Sequence, residues 1–370
     1  MKKNRKTINV ATVFSGIGAI EQALVKSNIS HNIVFACDNG ERYIKETYEE
    51  LLDEFKLCKD EYNNDINSFI KYKYENTKKI NYVKQSYCAN YDIEEKNWYD
   101  DVRFIDGKKY QGSIDLFVGG SPCQSFSVIG KRAGLNDARG TLFYEFARLV
   151  DEIQPKVFIY ENVVGMMSHD KGNTWVHILE IFESLNYNIS YKIVNAVNHG
   201  IPQNRKRIFV VGVKKEDQKF EFPESKPLTT ISSDYLEEDV NNQYYLGKKG
   251  FEFVTNPKYK NRAKVNQNII MTQKANQQFN WCGDFIFENN EILKDDVKSD
   301  DRIYLGSYFE EVGSVRKLTP RECLRLMGYD DSFKIVVPDV QIYRQAGNSI
   351  VVNIFESFLP TIMYVIGDGE

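Results

Sequence analysis

Six apolar runs, each cut short by glycine, aspartate or proline, recur through the first two-thirds of this 370-residue chain: Ile8 to Phe14, Asn32 to Ala36, Ile114 to Val118, Lys156 to Tyr160, Tyr191 to Val197 and Arg207 to Val213. Between several of them lie stretches of helical period, such as Ala19 to Ser27, Thr141 to Ile153 and Thr174 to Leu185. Strand alternating with helix predicts an α/β fold on a doubly wound, mostly parallel sheet. After Val213 the alternation stops. Residues 214–315 are polar, aromatic and rich in Asn and Gln, with short runs at Gly250 to Thr255 and Asn268 to Thr272 that read as strands of a second, smaller domain. Leu318 to Gly328 then reads as a helix, with Thr319 as cap, Pro320 at the first position, Glu322 completing a capping box and Gly328 as terminator. Ile350 to Ile366 is apolar enough to return to the main core. The stretch Leu51 to Tyr87, rich in Lys, Tyr, Asn and Glu, reads as an inserted helical excursion.

Hydrophobic residues at 42% and charged residues at 27% are the balance of a soluble globular protein. The net charge of -4 gives no ground for a global attraction to nucleic acid, but the charge is uneven. From Asn241 to Lys274, seven cations (Lys248, Lys249, Lys258, Lys260, Arg262, Lys264, Lys274) stand against Glu252 alone, a local +6. From Asp284 to Asp301 the sign reverses. Two readings of the basic run stay open, a solvated face and a docking place for a polyanion. Six cysteines without a Cys-x-x-Cys pair argue against a zinc site and a disulfide framework and for a reducing compartment. The basic N-terminus runs into a strand instead of a signal core, and no stretch nears the roughly 20 apolar residues of a membrane span. The expectation is a cytoplasmic protein with no metal and no membrane partner.

In an open parallel sheet, ligands gather at the carboxyl ends of strands. Four features fall there. The turn Phe14-Ser15-Gly16-Ile17-Gly18 follows the first strand, and its glycines permit close backbone approach. Asp38 follows the second strand, where an acid holds ribose hydroxyls. Cys123, in Gly119-Gly120-Ser121-Pro122-Cys123-Gln124, sits on a proline-stiffened turn after the third run, and Glu161 follows the fourth. Glycine turn and acid together indicate an adenosine-containing cofactor. Glu21 stands where a dinucleotide fingerprint has its third glycine, so NAD stays open but S-adenosylmethionine, lacking a pyrophosphate, needs less of a phosphate loop. A thiol needs electropositive help to act near neutrality, and Arg205 and Arg207 alternate onto one face at a strand start. A carboxyl of raised pKa can share a proton with a ring nitrogen of a base.

The ordered set of motifs resembles the DNA (cytosine-5) methyltransferases, especially the bacterial enzymes of restriction-modification systems. Nearly the whole chain takes part: Phe14 to Gly18, Asp92-Ile93, Pro122-Cys123-Gln124, Glu161-Asn162-Val163, Gln203-x-Arg205-x-Arg207, Arg316 to Gly328 and Gly347-Asn348-Ser349. The resemblance implies a Rossmann-like S-adenosylmethionine-dependent methyltransferase with a catalytic and cofactor-binding domain at 1–232, a target-recognition domain at 233–318, a hinge segment at 319–345 and a C-terminal return at 346–370. It implies that Cys123 attacks carbon 6 of a flipped cytosine, with Glu161, Arg205 and Arg207 completing the catalytic set. It implies a donor pocket of Phe14, Ser15, Gly16, Ile17, Gly18, Asp38, Asp92, Ile93, Pro122, Leu142, Asn348 and Ser349. Gln124, Ser127, Arg139 and Thr272 are implied DNA contacts, and the loop from Ser125 to Gly140 is implied to close over the extruded base. Double-stranded DNA is the implied partner of a monomer, with a cognate restriction endonuclease acting on the same site.

Three departures stand out. The family commonly has an aromatic after the ribose acid, where this chain has Asn39-Gly40; Tyr91 stands where a glycine is usual; and the Leu51 to Tyr87 insertion has no counterpart in compact members. Three rival functions remain. A transfer-RNA cytosine-5 methyltransferase generally carries a Cys-Phe-Thr signature that is absent here. A catalytically idle DNA-binding homologue has no need of an intact Cys123 and Glu161. A nicotinamide oxidoreductase has no use for Cys123 and the arginines together.

Overall fold

The computed structural model describes residues 7–122, 142–215, 217–276 and 281–367. The chain divides into two compact units, one formed by residues up to Val194, Lys206–Glu224 and the chain from Phe355 on, the other by Asn195–Arg205 and Ser225–Ile354.

The first unit is built on strands β1 (Ile8–Val13), β2 (His31–Cys37), β3 (Trp98–Tyr99), β4 (Leu116–Gly119), β5 (Val157–Val163), β6 (Asn188–Asn195) and β8 (Lys206–Val213), in the order β3-β2-β1-β4-β5-β8-β6; β7 (Gln203–Asn204) belongs to the second unit. β1 pairs in parallel with β2 on one side and β4 on the other, so the strand order reverses beside β1 and opens a ligand crevice at its carboxyl end. β8 runs antiparallel to β5, which makes the sheet mixed at that edge. Val10, Ala11, Val13, Leu116, Phe117, Phe158 and Ile159 are buried, the near-continuous hydrophobic reading of strands covered on both faces. Helices α1 (Ala19–Lys26), α5 (Leu142–Ile153) and α6 (Asn173–Ser184) fall on the stretches of helical period in the sequence. Helix α5 buries Phe143, Phe146, Leu149, Val150 and Ile153 at helical spacing.

The insertion folds as α2 (Tyr48–Cys58), α3 (Ile66–Glu75) and α4 (Tyr82–Asn90), started by the caps Thr47, Asp65 and Asn81. Leu51, Phe69, Ile70 and Tyr74 form a small core with Phe104.

The second unit has a four-stranded sheet of β9 (Ala263–Val265), β11 (Gly283–Asn289), β12 (Gly306–Tyr308) and β13 (Glu311–Lys317) in the order β12-β13-β11-β9, while β10 (Ile270–Met271) pairs with β7. Residues 250–255, expected as a strand, lie instead in helix α7 (Lys248–Thr255). Phe251 and Val254, three apart, face its core, and Phe253 leaves that face to stack on Tyr259 at 4.2 Å; the alternation of Phe251, Glu252 and Phe253 imitated a strand. After α8 (Asp295–Lys298) comes α9 (Pro320–Arg325), which carries the capping box expected at Thr319 and Glu322. Arg316, with 1% of its side chain exposed, binds Glu322 at 2.9 Å and Glu288 at 2.5 Å, tying α9 to β13 and β11. The second unit continues through α10 (Asp339–Asn348), and α11 (Val352–Ile366) enters the first unit from Phe355, where Phe355 and Phe358 pack edge-on against Phe209. No single helix among the described residues is long and apolar enough to cross a membrane.

Candidate active site

At the carboxyl end of β1 the chain turns through left-handed conformations at Phe14, Gly16 and Gly18. Ser15 holds this turn to β2: its N–H donates to the Cys37 carbonyl at 3.1 Å, and its hydroxyl accepts from the Cys37 N–H at 3.0 Å. A Cβ added at Gly16 would meet no atom within 4 Å, so its backbone faces open space. Gly18 is the opposite case, with the Tyr91 ring 2.2 Å from where its Cβ would stand. The Asp38 carboxylate accepts from the N–H groups of Gly16 at 3.0 Å and Gly40 at 2.8 Å, which joins the glycine turn to the end of β2. Burial pushes this carboxyl above its ordinary range, with those two N–H groups pulling the other way. Phe14 and Ile93 are half-buried, Asp92 is exposed, and Leu142 opens α5.

At the end of β4, Ser121 is buried and Pro122 exposed. The Ser121 hydroxyl meets the Tyr160 hydroxyl at 2.7 Å, and the Asn162 amide donates to the Ser121 carbonyl at 2.9 Å. The turn leading into the cysteine is therefore braced from β5. Gly120 lies so close to β5 that a Cβ would come 2.6 Å from the Glu161 carbonyl oxygen. Glu161 Oε1 pairs with Arg207 Nε across β5 and β8 at 3.0 Å, and both side chains are only 14% exposed. Cys123, Gln124, Ser127 and Arg139 lie outside the described residues. Burial lifts the thiols of Cys37 and Cys323 well above their ordinary range and that of Cys88 less far, so none of these three is an activated nucleophile.

The two arginines expected on one face part company. Arg207 goes to Glu161, whereas Arg205, 2% exposed, donates to the backbone carbonyls of Gln273 at 2.9 Å, Gly347 at 2.9 Å and Ser349 at 2.6 Å within the second unit. Arg205 thus binds the C-terminal end of α10, at Gly347-Asn348-Ser349, through its backbone carbonyls. Asn348 is exposed there and Ser349 buried, with its hydroxyl 2.9 Å from that of Tyr329. The Thr272 hydroxyl donates to the Asn204 carbonyl at 2.7 Å, and Thr272 lines a concavity of about 660 Å³ with Asn204, Lys264, Gln267 and Lys274. Tyr160, Ser121 and Asn162 are not legible in the sequence as bracing residues, since their contacts join the turn after β4 to β5 across 39 to 41 positions.

Fold and side chains together define an α/β protein with a cradle of glycine turn and carboxylate at the switch point of its sheet and a guanidinium-held carboxylate two strands away. A profile of C-5 cytosine-specific DNA methylases matches residues 70–363. Among similar proteins, type II methyltransferase M.SsoII of Shigella sonnei is 36% identical over 291 residues, 76% of this chain and 71% of that one. Type II methyltransferase M.HhaI of Haemophilus parahaemolyticus is 35% identical over 259 residues, 69% of this chain and 76% of its own. Type II methyltransferase M2.ScrFI of Lactococcus lactis subsp. cremoris is 32% identical over 373 residues, covering 95% of this chain and 97% of that one. The fold is also that of the Entamoeba histolytica methyltransferase EhMeth, with a TM-score of 0.63 at 17% identity over 96% of this chain and 98% of that one. The chain belongs to the C-5 cytosine-specific DNA methylase family. It is a DNA cytosine-5 methyltransferase, acting on DNA with a methyl donor.

Proposed function

We propose that the donor is S-adenosylmethionine and that the substrate is a cytosine rotated out of double-stranded DNA. The cradle fits this donor: Gly16 leaves the backbone accessible, and Asp38, held by two N–H groups, presents a carboxylate suited to ribose hydroxyls. Phe14, Ser15, Ile17, Gly18, Asp92, Ile93, Pro122 and Leu142 complete the donor side, and Asn348 and Ser349 are assigned to the same donor. S-adenosylmethionine supplies an electrophilic methyl group.

The protein's own work is on the base. The Cys123 thiolate adds to carbon 6, and Glu161 shares a proton with N3, so the electron pair released into the ring makes carbon 5 nucleophilic. Once carbon 5 carries the methyl, a base removes its proton, and the pair left behind expels the thiolate. Arg207 keeps Glu161 aimed, and Arg205 acts as a positioning residue for the α10 end that carries Asn348. Gln124, Ser127, Arg139 and Thr272 contact DNA, with the second unit as the target-recognition domain. Extrusion costs a few kcal/mol that those contacts offset. The enzyme works in the cytoplasm as a monomer beside an endonuclease of the same specificity.

The observation that carries this reading is the Glu161–Arg207 pair next to a turn braced by Asn162 and Tyr160. A duplex containing 5-fluorocytosine, with S-adenosylmethionine, should trap a covalent adduct at Cys123 that Cys123→Ser does not form. Bisulfite sequencing of DNA from expressing cells should show one methylated sequence. Methyl transfer confined to transfer RNA, or no adduct with the intact chain, would overturn the proposal.

A further inference from the structure

The three departures from the family pattern, Asn39-Gly40, Tyr91 and the Leu51 to Tyr87 insertion, meet at one place in the first unit. Asn81 caps α4 by accepting from the Lys84 N–H at 2.9 Å, and its amide nitrogen donates to the Asp38 carbonyl at 2.9 Å. The side chain lies against Gly40, where a Cβ would come 2.1 Å from its Oδ1; only a residue without a side chain, in a left-handed conformation, fits beside it. The same amide reaches Asp100 at 3.3 Å, and Asp100 also binds the guanidinium of Arg42, which lies 4.9 Å over the Tyr74 ring of α3. Arg42 Nε in turn donates to the Asn39 carbonyl at 2.9 Å. The turn after the ribose acid is thus enclosed by groups of the insertion and by Asp100.

The other end of α4 reaches the glycine turn. Tyr87 donates to buried Glu21 at 2.6 Å, beneath the start of α1. Just beyond α4, the Tyr91 ring fills the space under Gly18, and its hydroxyl bonds the carbonyls of Gly18 at 2.8 Å and Ile17 at 3.2 Å. The two residues that flank one short helix therefore hold both halves of the cradle by their backbone carbonyls. A carbonyl held in this way fixes the direction of the N–H on the following residue, because the peptide unit is planar.

We propose that the inserted segment, together with Tyr91 just beyond it, is the positioning element of the methyl-donor site: Asn81 before the start of α4 and Tyr91 after its end set the Asp38 turn against the Gly16–Gly18 turn, where the family commonly uses an aromatic after the acid. Neither residue touches the donor; both act through backbone that does. The inference rests on the assignment of this cradle to S-adenosylmethionine.

Calorimetric binding of S-adenosylmethionine to the full chain, without DNA, tests it. Asn81→Ser keeps the helix cap and loses the amide donor, and Tyr91→Phe keeps the ring and loses the hydroxyl. Each should weaken donor binding about 5- to 10-fold, the order of one buried hydrogen bond. Donor KM should rise in parallel, while kcat at saturating donor and KM for DNA stay within about twofold. Lys56→Ala, on the exposed side of α2, should leave donor binding unchanged. Wild-type affinity in Asn81→Ser and Tyr91→Phe would overturn the proposal. So would an equal loss in donor affinity, DNA affinity and melting temperature, which marks general loosening. If the wild-type chain itself binds no S-adenosylmethionine, the donor assignment fails instead.

Discussion

Asp284 stands on β11 with 8% of its surface exposed, its Oδ2 accepting from the Met271 N–H at 2.9 Å and its Oδ1 without a partner among the described residues. Lys264, its register partner on β9, and the Met271 N–H favour the carboxylate, but burial outweighs them and lifts the pKa from 3.8 to about 7. Below pH 3.8 the acid is protonated in both folded and unfolded chains and costs nothing; as pH rises towards 7, the unfolded chain ionises while the folded one resists. Stability is therefore lost with rising pH at about 1.4 kcal/mol per unit, roughly 4 kcal/mol over the whole window. From about pH 5.5 to about pH 8 the share is about 2 kcal/mol, because the loss stops near the folded pKa. The substitution Asp284→Asn would keep an acceptor for Met271 and remove the titration; any cost of the introduced amide group is the same at every pH. Urea unfolding followed through Trp281, which lies in the same unit, should show the wild type losing about 2 kcal/mol more than Asp284→Asn between those two pH values. Parallel stability curves for the two proteins would refute the reasoning.

Arg316→Met leaves the buried Glu322 and the nearby Glu288 without their cation and should cost about 3–5 kcal/mol, seen as a lower denaturant midpoint. If Glu161 shares a proton with the base as proposed, Glu161→Gln, which removes the carboxylate but not its volume, should lower kcat on the order of 10²- to 10⁴-fold in a tritiated methyl-transfer assay, with duplex affinity retained. Asn162→Ala strips the brace from the Ser121 carbonyl and should lower the rate of Cys123 adduct formation with a 5-fluorocytosine duplex more than it lowers DNA binding.

Much of this protein is local physics and is legible in the chain itself. The apolar runs ending at Phe14, Ala36, Val118 and Tyr160 announce buried strands, which the structure ends within three residues of those points, and the Thr319–Glu322 box starts its helix from four consecutive residues. Gly250 to Thr255 misled because two phenylalanines around a glutamate fit a strand as well as a helix, and only packing around Phe251 and Val254 decides between them. Arg205 and Arg207 share an alternation, yet one finds three carbonyls and the other a carboxylate, because partners at long range choose where a guanidinium goes. The Asn81 amide on the Asp38 carbonyl spans 43 positions of sequence, and Arg205 to Ser349 spans 144. Periodicity and capping are written within a turn or two of chain, whereas such hydrogen bonds exist only after the sheet has gathered its strands.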